Sequence, residues 1–422
     1  MILIYSLLVD FFYPIIILII YFRSLINKED KIRYKEKLFI SKFNQDRNLN
    51  KKLIWFHGAS LGEIKSILPL LKRLNKNQKD IEFLITTITT SSANFVSKEL
   101  YKYKNINHRY LPIDKETLVT EFLNNWSPNL AIFIDSEVWP NFIFKIKNMG
   151  IPLVLLNARI TSKSFNKWKY FPNFSSKIFR SYDLCLSSSL DTKKKLENLN
   201  AKNIKFLGNI KFSSDKEDQN IENKNKNILK KYKTWCAASL HGGEEELCIN
   251  THIKLKKVHK NLLTILIPRH INNVKKIHSI TKRHQLNAQI LNSKENIKKN
   301  LDILIINSFG VLNKYFNYCD FVFMGKSFLK KFEYNGGQNP IEAAKFGCKI
   351  YHGPYTYNFQ EVYKLLNSYS ITETVKDDKQ LSTKLNKAFR NKKVVKNKNI
   401  KKINNYGKKI LDTTIKELSK FL

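Results

Sequence analysis

Apolar positions along this chain change rhythm more than once. From Met1 to Phe22 (MILIYSLLVDFFYPIIILIIYF) they run almost unbroken, interrupted by Asp10 and a few polar residues. As a helix this stretch extends about 33 Å, enough to cross a bilayer core. From Lys52 onward short apolar runs alternate with longer amphipathic ones, the pattern of βα units and a parallel sheet. Strands are expected at Leu53–His57, Glu82–Thr86, Leu130–Ile134, Leu153–Asn157, Leu184–Ser187 and Ile204–Leu207. Helices are expected between them, among them Gly62–Leu74 and Ser91–Tyr103. The alternation lapses over Gly208–Asn227, which is polar, charged and rich in Asn. It then resumes with strands at Trp235–Ser239, Leu262–Pro268, Ala288–Leu291, Asp302–Asn307, Asp320–Met324 and Lys349–His352.

The expected fold class is therefore α/β, with two successive open sheets joined by a linker. The division reads as an anchor at 1–22, a basic connecting segment at 23–51, a first Rossmann-like domain at 52–207, a linker at 208–231, a second domain at 232–390, and a basic C-terminal helix or tail at 391–422. Within the last segment, the Lys/Asn-rich run Asn391–Lys409 is expected to be solvated. Arg23, Lys28, Lys31, Arg33, Lys35 and Lys37 follow the apolar run at once, so the positive-inside rule places the bulk of the chain in the cytoplasm. No small-residue cleavage site or basic leading region argues for a removed signal peptide. Asp10 and Pro14 weaken a spanning helix and leave a shallow interfacial one open.

Length and charge narrow the partners. The 422 residues suffice for two ordinary domains, and 43% hydrophobic residues with 28 Phe and 19 Tyr exclude general disorder. The 74 Lys+Arg against 35 Asp+Glu give +39, a field that attracts phosphorylated substrates, anionic lipid or nucleic acid. The lysines are spread along the whole chain, so this charge permits such partners without selecting one, and no nucleic acid is expected. Five cysteines without a CxxC pair suggest neither zinc nor a disulfide framework, and nine histidines show no ligand spacing. No metal and no cofactor is expected.

Candidate chemistry collects where ligands of open sheets collect, in turns after strands. Tyr334–Gly347 (YNGGQNPIEAAKFG) reads as a glycine turn opening a helix. Asn339 serves as N-cap, Pro340 takes the first helical position, and Glu342 stands three residues after the cap. Unpaired N–H groups at such a start suit a phosphate, and Gly336 and Gly337 would let it approach the backbone. The same residues also fit a plain capped helix. Glu63, in the first helical turn after His57-Gly58-Ala59-Ser60-Leu61-Gly62, is either a general base or an acid complementing the helix dipole. After the next central strand, Asp135 and Glu137 either orient a hydroxyl and support Glu63 or cap the following helix. Arg159, Ser162 and Lys163 either hold an anionic acceptor or serve structure. In the second half Arg269 is placed for a phosphate or carboxylate, and Ser308–Leu312 follows the fourth strand. Nothing resembles a Walker A loop.

Taken together these motifs resemble the 3-deoxy-D-manno-octulosonic acid (Kdo) transferases over nearly the full chain. The matching runs are HGASLGE at His57–Glu63, TTITTSSA at Thr86–Ala93, YLPID at Tyr110–Asp114, SEVWPN at Ser136–Asn141 and NARITSKS at Asn157–Ser164. They continue with GNIKF at Gly208–Phe212, ASLHGGEEE at Ala238–Glu246, IPRH at Ile267–His270, GGQNPIEAA at Gly336–Ala344 and HGPYTYNF at His352–Phe359. The resemblance implies a GT-B glycosyltransferase, two Rossmann-like domains facing across a cleft with an N-terminal membrane-anchor helix. It implies transfer of Kdo from CMP-Kdo to a lipid A precursor (lipid IVA) at the cytoplasmic side of the inner membrane, with inversion and without metal. It places the general base at Glu63, which leaves Glu137, from its place after the strand, as a candidate supporting acid. It places CMP contacts at Pro268, Arg269, Phe309, Gly310, Val311, Asn339, Pro340, Ile341 and Glu342.

The chain departs from the family pattern at several points. Val311 stands where an acid is usual, Asn307-Ser308 replaces Asp-Thr, Lys326 replaces a second glycine, and Gln338 stands where His is common. Two other functions fit parts of the sequence. One is a membrane-surface GT-B transferase using a UDP-sugar and a lipid-linked acceptor. The other is a non-catalytic basic RNA-binding or scaffold protein.

Overall fold

The computed structural model describes residues 1–43, 47, 49–77, 80–100, 103–214, 223–293, 295–390 and 395–422. Parts of the expected linker (215–222), of the connecting segment (44–46 and 48), of the helix Ser91–Tyr103 (101–102) and of the basic tail (391–394) lie outside the described residues. The chain forms two compact units, one of Met1–Ser214 with Gly407–Leu422, the other of Asp215–Tyr406.

In the first unit the strands are β1 (Lys52–His57), β2 (Ile81–Thr87), β3 (Ile106–Tyr110), β4 (Leu130–Ile134), β5 (Leu153–Ala158), β6 (Leu184–Ser187) and β7 (Ile204–Phe206). They form a seven-stranded parallel sheet in the order β3-β2-β1-β4-β5-β6-β7. The chain works outward from β1 to β3, then returns to β4 on the other side of β1. That reversal makes a switch point between the carboxyl ends of β1 and β4. β1 and β4 read as unbroken apolar runs because helices cover both faces, and β4 is buried throughout. Trp55 of β1 anchors one face, with its ring centroid 5.2 Å from Phe122, 5.3 Å from Phe133 and 5.5 Å from Phe142.

β3 has no counterpart among the expected strands, for a physical reason. Its residues Ile-Asn-His-Arg-Tyr are polar because it is an edge strand covered by the connecting segment instead of a helix. Glu36 of that segment accepts from the Tyr110 backbone N–H at 2.9 Å and pairs with Arg109 at 3.2 Å. Burial, with the charges of Arg33 and Arg109 added, holds the His108 imidazole down at about 3. Lys37 meets Glu29 at 2.6 Å, both buried. The segment after the apolar helix is thus packed onto this sheet through ion pairs.

In the second unit the strands are β8 (Lys233–Leu240), β9 (Leu262–Pro268), β10 (Ala288–Leu291), β11 (Ile303–Ile306), β12 (Phe321–Met324), β13 (Lys349–His352) and β14 (Thr372–Thr374). They again form a seven-stranded parallel sheet, in the order β10-β11-β9-β8-β12-β13-β14. The switch point here lies between β8 and β12. β14, a three-residue edge strand of Thr-Glu-Thr, carries no apolar run and was not expected.

The first helix, α1, spans Ile2–Leu25 and is long and apolar enough to cross a membrane. At the other end, the helix Val395–Leu418 is less solvated than its lysines suggest. It buries Ile403, Ile410 and Leu418. From Gly407 it belongs with the first unit, where a Cβ on Gly407 would meet the Phe212 carbonyl oxygen at 2.1 Å. Lys205 meets Glu417 at 2.8 Å in the same region.

Candidate active site

At the switch point of the first sheet, the turn after β1 carries Glu63. Its Oε2 accepts the backbone N–H of Ala59 at 2.7 Å and of Ser60 at 3.2 Å, and its Oε1 accepts the Ser60 hydroxyl at 2.8 Å. This is the reciprocal Ser-x-x-Glu closure of a helix start, here that of Leu61–Asn77. The carboxylate is also desolvated. Burial raises its pKa above the ordinary Glu value, and the negative charges of Asp135 and Glu137 add to that rise against the Ser60 hydrogen bonds. The Glu63 side chain thus closes its own helix start while its carboxyl is held above the ordinary Glu range.

The loop after β4 supplies the acids around it. Asp135 is buried with φ +59°, a left-handed backbone that turns the chain sharply off the strand. Its carboxylate accepts from Asn157 Nδ2 and, at 3.2 Å, from Lys211. Asn157, also left-handed at φ +55°, accepts the Ile210 N–H at 3.0 Å. The runs SEVWPN, NARITSKS and GNIKF, far apart in sequence, converge at the ends of β4 and β5.

Glu137 ends a chain of hydrogen bonds that rests on β1 and β2. Register pairs His57 with Thr86, and His57 Nδ1 lies 2.9 Å from Thr86 Oγ1. Thr86 accepts Trp55 Nε1–H at 2.8 Å. His57 Nε2 lies 3.2 Å from Glu137 Oε2, which also accepts Trp139 Nε1–H at 2.9 Å. Every group is satisfied when Thr86 donates to Nδ1 and the Nε2–H tautomer donates to Glu137. His57, Thr86 and Lys211 were not singled out from the sequence. Their signal was position, since His57 and Thr86 sit at or next to the ends of adjacent central strands.

The residues considered for an anionic acceptor are arranged differently. The Arg159 backbone N–H donates to the Asp135 carbonyl at 2.9 Å. Ser162 Oγ receives Lys195 Nζ at 3.0 Å, and Lys195 in turn pairs with Asp191 at 2.6 Å. Lys163 is exposed at the start of the helix Ser162–Lys169.

In the second unit, the carboxyl ends of three neighbouring strands carry a histidine and two cations. His241 follows β8, Arg269 follows β9 and Lys326 follows β12. Main-chain bonds fix them, with Arg269 N–H donating to Leu240 O at 2.9 Å and Gly325 N–H to Ala238 O at 2.9 Å. The His241 and His270 rings lie 5.6 Å apart, edge to face. Burial holds the His241 imidazole below its ordinary range, and the charges of Lys326, His270 and Arg269 deepen this against its bond to the Ser239 carbonyl. Lys326 stands at φ +56°, where a glycine would carry no strain.

Glu244 explains how that loop is held. Fully buried, it accepts backbone N–H groups from His241 at 3.0 Å, Lys326 at 2.6 Å, Ser327 at 2.9 Å and Phe328 at 3.1 Å. The sequence marked its run only as a loop motif. Glu244 closes its own turn at His241, as Glu63 does after β1, and ties that turn to the one after β12.

The turn at Gly336–Glu342 corrects part of the sequence reading. The helix it opens, Ile341–Lys345, has only five residues, and its cap position falls on Pro340, one residue later than expected. Asn339 still caps by its side chain, with Oδ1 accepting the Ile341 N–H at 3.1 Å. The two glycines serve the chain itself. A Cβ on Gly336 would meet Tyr355 O at 2.4 Å and Phe332 O at 2.5 Å, and Gly337 donates to Lys326 O at 2.6 Å. Neighbouring backbone takes the close approach that a ligand was expected to make. Ile341 and Pro340 are buried, while Glu342 is exposed.

After β11, Phe309 is 66% exposed and Gly310 turns at φ +71°, ahead of the helix Leu312–Phe316 that Val311 caps. Pro268 is the buried last residue of β9. A pocket of about 420 Å³ opens at the amino ends of β8 and β12, against Lys233, Thr234 and Asp320, away from all these loops.

Comparison with known proteins gives the family and the fold. Residues 32–214 match the family model described as 3-deoxy-D-manno-octulosonic-acid transferase. A 3-deoxy-D-manno-octulosonic acid transferase of Rickettsia bellii is 36% identical over 81% of this chain and 79% of its own. That of Rickettsia prowazekii is 30% identical over the whole of both chains. Among solved structures, the UDP-GlcNAc 2-epimerase of Neisseria meningitidis superposes with a TM-score of 0.59 at 14% identity, covering 86% of this chain and all of that one. That likeness concerns the fold, the two Rossmann-like domains of GT-B proteins.

Proposed function

This chain belongs to the 3-deoxy-D-manno-octulosonic acid transferase family, and we propose that it moves Kdo from CMP-Kdo to lipid IVA with Glu63 as general base. The observation that carries the proposal is the Glu63 carboxyl, set at the sheet's switch point and made more basic by burial beside Asp135 and Glu137. A carboxylate poised above its ordinary range accepts a proton from a sugar hydroxyl more readily than a solvated one.

In the proposed step, Glu63 takes the proton of the acceptor hydroxyl as its oxygen attacks the anomeric carbon of Kdo. The bond from that carbon to the cytidylate oxygen breaks on the opposite face, so the configuration inverts. CMP leaves with the electron pair. The cations after β9 and β12, Arg269 and Lys326, suit the phosphate charge that grows during this step, with Arg269 closest in kind to a phosphate ligand. No metal is invoked. Pro268, Phe309, Gly310, Val311, Asn339, Pro340, Ile341 and Glu342 are assigned to the nucleotide, and Arg159, Ser162 and Lys163 to the acceptor. The apolar α1 and the basic surface would hold the enzyme at the cytoplasmic face of the inner membrane, where such an acceptor resides.

Incubation of the protein with CMP-Kdo and tetra-acylated lipid A precursor, with products resolved by mass, tests this reading. The expected product gains one or more Kdo residues. Intact acceptor, with CMP-Kdo merely hydrolysed or unchanged, would refute it.

A further inference from the structure

α1 has two unlike sides. One is fastened to the first unit by polar groups along its first half. Tyr5 donates its hydroxyl to Asp114 at 2.9 Å, and Ser6 donates to Asn141 at 2.7 Å. Asp10 pairs with Lys115, and Tyr13 donates to the Leu38 carbonyl at 3.1 Å. Further along, Ile20 and Ser24 are buried. The receiving groups are built in: Asp114 and Asn141 are both buried, and Asp114 also accepts the N–H groups of Asn141 at 3.1 Å and Phe142 at 3.0 Å.

The other side is an apolar stripe. Leu3, Leu7, Phe11, Leu18 and Phe22 recur at helical spacing, and each is more than half exposed. An unbroken apolar face of this length is not left in water without an occupant. Beyond the helix end, Lys28, Lys31 and Lys35 are exposed, whereas Glu29 and Glu36 are buried in ion pairs with Lys37 and Arg109. The charge offered next to the stripe is therefore positive, which suits anionic headgroups.

A spanning orientation conflicts with this arrangement. It would carry Asp10 into the hydrocarbon, and either drag Asp114, Asn141 and Lys115 along or strip them of their partners. We propose that α1 lies in the plane of an anionic bilayer, its stripe sunk to the boundary of headgroups and acyl chains, its polar side bolted to the first unit. Both ends of α1 then lie on the side that carries that unit. The proposal rests on the reading that this chain is a transferase acting on a lipid acceptor, which the incubation with CMP-Kdo and lipid A precursor tests separately.

The five native cysteines are buried and give little background for thiol labelling. A single cysteine is placed ahead of residue 2 in one variant and at Lys28→Cys in another. Each is exposed to a membrane-impermeant maleimide in intact spheroplasts and in inverted inner-membrane vesicles. Labelling of both positions from the cytoplasmic side alone is expected; labelling of the two from opposite sides would overturn the proposal. A second measurement addresses a second copy of this chain as the occupant. The wild type should float with phosphatidylglycerol-containing vesicles, and Leu7→Glu with Phe11→Glu should cut the bound fraction roughly tenfold or more. A wild-type dimer that ignores vesicles, and that the double variant turns into monomer, would overturn it equally.

Discussion

Ser60 and Glu63 hold each other. The Ser60 hydroxyl donates to Glu63 Oε1 at 2.8 Å, and the Glu63 backbone N–H points back to that hydroxyl oxygen at 3.4 Å. The proposed base is thereby also the clasp of its own helix, and the two roles separate by substitution. Glu63→Gln keeps an amide oxygen for the Ala59 N–H but cannot take a proton. It should lower kcat roughly 10²–10⁴-fold while moving the melting temperature little. Glu63→Ala should lose both, with about 1 kcal/mol of stability lost besides. Transfer by the Gln variant at near wild-type rate would remove Glu63 from the mechanism.

The acids beside Glu63 should appear in the pH profile. As the proposed base Glu63 would have to be ionised, so kcat/KM should rise with pH through a limb above the ordinary Glu range. Burial sets that limb first, and Asp135 and Glu137 push it further up. Glu137→Gln removes one of those negative charges, so the limb should move to lower pH while the rate on the alkaline side stays within a fewfold. An unshifted limb would show that Glu137 acts through His57 and Trp139 alone, or not at all.

Lys326 offers a test in the second unit that the two effects make distinctive. Its left-handed backbone costs about 1 kcal/mol against glycine, so Lys326→Gly should stabilise that unit. The same change removes a cation from the ends of β8, β9 and β12, and should weaken CMP binding about fivefold to tenfold. Thermal protection by CMP, compared between the two proteins, reads both at once. Tighter CMP binding by the glycine variant would exclude Lys326 from the donor site.

Asp114 makes stability depend on pH in a defined sense. Burial raises its carboxyl from 3.8 to about 6, outweighing the bonds from Tyr5, Asn141 and Phe142. The folded protein thus holds this proton more tightly than the unfolded chain does. Stability from this group is full below its ordinary value and declines as pH rises through the window between the two values. The decline should be on the order of 3 kcal/mol. Asp114→Asn should flatten the melting temperature across that window. An equally steep slope in the variant would assign the dependence to other groups.

Much of the fold was legible because parallel strands covered on both faces are plain apolar runs. β1, β4, β5, β8, β9 and β13 fall within a residue or two of their expected bounds. β3 was not legible because its cover is an ion pair from Glu36 to Arg109 and a hydrogen bond from Arg33 to the His108 carbonyl, which sequence displays only as scattered charge. The glycine turn at Gly336 misled in an instructive way. A residue without a Cβ announces a close approach, but not whether the visitor is a ligand or, as here, the backbone at Tyr355 and Lys326.

By itself the sequence determined the two βα series, the apolar first helix and the family, since these depend on residue type and order along the chain. Only the tertiary structure decided what meets what. It set His57 against Glu137, brought Lys211 to Asp135, filled the glycine turn with neighbouring main chain, and fastened one side of α1 to Asp114 and Asn141. Those pairings join residues tens to more than a hundred positions apart. Hydropathy and spacing act over a few turns and carry no record of such distances, whereas strand order and register fix them outright.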